Sequence, residues 1–65
     1  MAEFHVRLAL DYLQARSRSD WTEAALAGIV QHISDTYLLS LAERQEVQQA
    51  ALAQAHQRQL LAAPV

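Results

Sequence analysis

Cysteine is absent, so disulfides and thiolate metal sites are excluded. The sole glycine, Gly28, leaves no glycine-rich loop to cradle phosphate. The sole proline, Pro64, lies near the end, so nothing between residues 20 and 62 forbids a helix. Lysine is also missing. All five basic residues are arginines (Arg7, Arg16, Arg18, Arg44 and Arg58), and the net charge is −2. An acidic balance carries no electrostatic footprint for nucleic acid. No apolar run approaches the ~20 residues of a membrane span, and no basic segment followed by an apolar stretch marks a signal peptide. A cytoplasmic protein is the simplest expectation.

What is there favours helix. Ala, Leu, Gln, Glu and Arg dominate the second half, and all sit in helices at little cost. Sixty-five residues make one domain, expected over 1–62 with a disordered tail at 63–65. A single core in a chain this small rarely gives more than ~3–5 kcal/mol, and with no disulfide the remaining source of stability is association.

A first helix is expected at about 3–16. Phe4, Leu8, Tyr12 and Ala15 share one face; Val6, Ala9, Leu10 and Leu13 share another. A surface helix normally carries one apolar stripe. Two stripes imply burial on both sides, one against the chain's own long helix and one against another protein. Glu3 precedes Arg7 by four residues, the favourable order for an ion pair. Ser17-Arg18-Ser19-Asp20 is the clear break, with Ser19 or Asp20 as helix cap and Glu23 completing a capping box.

The stretch from 20 to 60 is expected as one long helix, kinked or broken at 34–36 if anywhere, because Ser34, Asp35 and Thr36 can all cap. Its apolar stripe runs through Thr22, Leu26, Ile29, Val30, Ile33 and Tyr37, and Leu41 follows. Gly28 lies off that stripe and marks possible close packing against another backbone. At about 1.5 Å per residue such a helix is ~60 Å long, far beyond the reach of the first. The expected fold is therefore an all-α helical hairpin that dimerises into a bundle. The core or dimer interface would use Phe4, Leu8, Tyr12, Leu26, Ile29, Val30, Ile33, Tyr37 and Leu41. Val6, Leu10, Leu13, Arg16, Arg18 and Trp21 would face a second partner.

Chemistry-bearing patterns are sparse. His5, His32 and His56 share no metal-ligand spacing. Ser17, Ser19, Ser34 and Ser40 have no nucleophile signature, and Glu43 and Glu46 read as solvated carboxylates. No enzyme, cofactor or metal is expected.

Ser17-Arg18-Ser19-Asp20 followed by Ala24, Ala25, Leu26 and Ile29 resembles the entry to the second helix of ribbon-helix-helix repressors. Phe4-His5-Val6-Arg7-Leu8 is similar to their N-terminal strand. The resemblance implies a dimer that binds DNA through paired strands, with Arg7 in the groove. It covers under half the chain, and between Leu8 and Ser17 there is too little chain for the family's full first helix. The leading expectation is a non-enzymatic protein-binding regulator of adaptor, chaperone, antitoxin or inhibitor type, bacterial or phage in origin, acting as a homodimer. A DNA-binding regulator is the alternative.

Overall fold

A computed structural model describes residues 3–61. These residues are all-helical: α1 (Glu3–Gln14), α2 (Glu23–Thr36) and α3 (Leu41–Gln57), with a single 3₁₀ turn at Arg18–Asp20 between α1 and α2. No strand occurs among the described residues. The expected tail at 63–65 lies outside them.

The expected long helix is two helices. The longest dimension of the fold is 32 Å, about half of what one continuous helix would need. The break falls at 37–40, after the Ser34-Asp35-Thr36 triplet. Two of the triplet's three side chains find partners in the helical arrangement, while the Ser34 hydroxyl is buried with none among the described residues. Thr36 Oγ1 donates to the His32 carbonyl at 2.8 Å, and Asp35 accepts from Arg44 of α3 at 2.9 Å. Ser34 is buried against the core.

What stops α2 is a Schellman turn. The Leu39 amide donates back to the Ser34 carbonyl at 2.9 Å, while Leu38 adopts a left-handed φ of 54°. Leu39 then tucks against the core, supplying the apolar contact that accompanies this motif. Glycine usually fills the left-handed position; here a leucine does. Gln59, at φ 60°, repeats the device after α3, with Leu60 N–H on the Ala55 carbonyl at 2.8 Å.

Each later helix is started by a side-chain cap. Thr22 Oγ1, and not Ser19 or Asp20, accepts the Ala25 amide at 3.1 Å. Asp20 sits in the 3₁₀ turn. Ser40 and Glu43 form a reciprocal capping box for α3: Ser40 N–H donates to Glu43 Oε1 at 3.0 Å, and Glu43 N–H to Ser40 Oγ at 3.2 Å.

The three helices each pack on the other two around one core. Helix α1 supplies Val6, Ala9, Leu10 and Leu13; α2 supplies Leu26, Ile29, Val30 and Ile33; α3 supplies Val47, Ala51 and Ala55. The residues of α3 recur every fourth position, which lines them up on one face. Their small side chains bring α3 close, so leucines from α1 and α2 fill the centre.

Candidate functional site

Helix α1 turns its Val6–Leu13 stripe inward, so its Phe4–Leu8–Tyr12 stripe points out. Phe4 is 60% exposed and Tyr12 43%, while Leu8 is half-buried. The end of α2 extends this surface. The Phe4, His5 and Tyr37 rings form a cluster of edge-on contacts with centroids 5.1–6.0 Å apart. Leu38 and Leu41 are 88% and 71% exposed. Chain reversal at 37–40 thus concentrates large apolar side chains near the first turn of α1. Glu3, Arg7 and Asp11 are exposed along the same helix, and among the described residues none of them makes an ion pair.

A second surface is the groove between α2 and α3. It has a volume of about 460 Å³ and no lining residue from α1. Ala27 and Val30 form its apolar floor, and Gln31, Gln45, Gln48 and Arg44 line its sides. Amides offer both donors and acceptors. The Arg44 guanidinium pairs with Asp35 at 2.9 Å, yet its Nε is buried with no partner among the described residues.

The third feature is the Trp21 corner. The indole Nε1 donates to the Arg16 carbonyl at 3.1 Å, and the Arg18 guanidinium lies 5.8 Å from the ring centroid, within cation–π range. Trp21 is half-buried and packs on the core, so it covers the α1–α2 turn as an apolar lid. Arg16 and Arg18 are exposed.

These placements change several of the sequence expectations. Val6, Leu10 and Leu13 are internal core and are closed to any partner, because α1 uses that stripe against α2 and α3. Phe4, Tyr12, Tyr37 and Leu41, expected at a core or dimer face, are outside this core; Leu26, Ile29, Val30 and Ile33 lie within it. Thr22 is an exposed cap and no part of a buried stripe. Gly28 is exposed, with nothing within 4 Å of where a Cβ would stand, so no backbone of this chain packs on it. Residues 4–8, which resemble the strand of a ribbon-helix-helix repressor, are in α1. The ribbon that would carry Arg7 into DNA is therefore not formed.

Two groups escaped the sequence reading. Leu38 takes the left-handed turn with no glycine or asparagine to signal it in the sequence. Ser40-x-x-Glu43 was legible as a capping box, yet Glu43 read only as a solvated carboxylate. The Ser40 backbone N–H on Glu43 Oε1, and next the Ser40 side chain beside it, favour the ionised form and hold the Glu43 carboxyl below its ordinary value.

Among the described residues no three His, Asp or Glu side chains are gathered to hold a metal. His56 Nε2 lies 3.8 Å from Glu23 Oε2, a single contact between α3 and α2. No described helix is long and apolar enough to cross a membrane. The fold defines a small three-helix, all-α protein. No protein-family model, curated protein or solved structure matches the chain.

Proposed function

We propose that this is a non-enzymatic protein-binding regulator, of adaptor, chaperone, antitoxin or inhibitor type, that acts as a cytoplasmic homodimer through exposed apolar helix surface. One observation carries this reading. The five large apolar side chains left exposed among the described residues are Phe4, Tyr12, Tyr37, Leu38 and Leu41. Two lie on the outward stripe of α1 and three at the α2–α3 reversal. Scattered apolar residues are normal on any surface; aromatic residues concentrated beside aliphatic ones mark interfaces.

The α2–α3 groove is the surface assigned to the second protein. Its glutamine amides suit a partner that brings backbone or side-chain polar groups over an apolar floor.

The test is sedimentation velocity over micromolar to millimolar concentrations. A reversible shift from monomer toward twice the monomer mass is expected. A monomer throughout would remove the homodimer from this reading.

A further inference from the structure

We propose that the partner on the outward face of α1 is the same helix of a second copy, packed antiparallel across a twofold axis between positions 8 and 9. This rests on the homodimer reading and specifies its contact. The stripe Phe4, Leu8, Tyr12 has an aromatic at each end and an aliphatic in the middle, at equal four-residue steps. An antiparallel copy therefore sets Phe4 against Tyr12 and Leu8 against Leu8. Offset or edge-on ring pairs suit the two ends.

The charges select the same arrangement. Glu3, Arg7, Asp11 and Gln14 are all exposed along one flank of this stripe. In a twofold antiparallel pair, a flank meets the same flank of the other copy. With the axis between 8 and 9, Arg7 meets Asp11 and Glu3 meets Gln14, each twice. The Phe4–Tyr12, Leu8–Leu8 and Arg7–Asp11 pairings all fall within about one residue, ~1.5 Å, of direct opposition. A parallel pair would instead set this flank against the opposite flank of its copy, so Arg7 and Asp11 would not meet. Neither Arg7 nor Asp11 has an ion-pair partner among the described residues of its own chain, so both charges are available.

Helix α1 has 12 residues, a contact about 18 Å long. One pair of helices this short makes a small contact, so the dimer is expected to exchange with monomer.

The test is charge reversal, read as the dimer dissociation constant by sedimentation equilibrium, with circular dichroism as the check on folding. Arg7→Asp alone and Asp11→Arg alone each place like charges at both symmetric contacts and should weaken the dimer about tenfold or more. The double variant R7D/D11R restores opposite charges and should return to within about threefold of the parent. Mild oxidation gives an independent readout, because the chain has no other cysteine. Leu8→Cys should cross-link to itself, whereas Phe4→Cys should cross-link only when mixed with Tyr12→Cys. Self-cross-linking of Phe4→Cys, or a dimer that ignores both charge reversals, would overturn the antiparallel contact and leave the homodimer reading standing. A parent chain that stays monomeric at millimolar concentration would overturn both.

Discussion

Helix α1 has two apolar faces of similar length and opposite use. The inward face, Val6, Ala9, Leu10 and Leu13, is aliphatic and closed to solvent. The outward face, Phe4, Leu8 and Tyr12, is largely aromatic and flanked by Glu3, Arg7 and Asp11. Hydrophobicity alone does not separate them. Shape does: α3 brings Val47, Ala51 and Ala55 to the core, and that close approach favours compact branched side chains over rings. Polar tips separate them too, since a tyrosine hydroxyl needs a partner or water, which the inward face does not offer.

The largest way to break this contrast is to empty the inside. Leu10→Ala should cost about 2–5 kcal/mol, comparable to the ~3–5 kcal/mol that a core of this size supplies. Urea titration followed by circular dichroism should find that variant largely unfolded. Tyr12→Ala on the outer face should change monomer stability by less than about 1 kcal/mol in the same assay.

Two substitutions of intermediate size sharpen the comparison by changing the scaffold behind the faces. Ser40→Ala removes the α3 cap next to the reversal and should destabilise by about 1 kcal/mol. Gly28→Ala should stabilise by about 1 kcal/mol, because alanine has the higher helix propensity and its Cβ would meet no other atom. Thermal unfolding of the two variants should therefore shift in opposite directions.

The smaller effects come from the reversal itself. Leu38→Gly relieves a left-handed residue that costs about 1–2 kcal/mol, less the ~0.5–1 kcal/mol entropy of glycine. A net gain of about 0.5–1 kcal/mol should appear in urea titrations. Acid should act at the neighbouring cap. Glu43 titrates below its unfolded value, so its contribution is present above that value and is lost as pH falls through the lowered folded one. Stability measured below the usual carboxylate range should fall less steeply for Glu43→Gln than for the parent.

Much of the helical content was legible from periodicity. The two stripes of α1 and the Leu26–Ile33 stripe are real features of the folded chain. The sense of α1 was not legible, because helical spacing defines faces without saying which one turns inward. The break between α2 and α3 was misplaced for a chemical reason. Ser34, Asp35 and Thr36 have the composition of a cap and sit inside the helix, while Leu38 and Gln59 take backbone conformations for which glycine is the usual sign. The α2–α3 groove was invisible, since its glutamines come together only after the chain reverses. Restoring that reversal also removes the need for a second chain to cover a ~60 Å helix. What remains to be covered is the shorter aromatic face of α1.

Amide and aromatic NMR spectra followed on dilution test that claim most directly. Concentration-dependent shifts are expected at Phe4, Leu8, Tyr12 and Tyr37, with Leu10, Leu13 and the groove residues Gln31 and Gln48 unchanged. Shifts confined to the groove, or spectra that do not change with concentration, would contradict it.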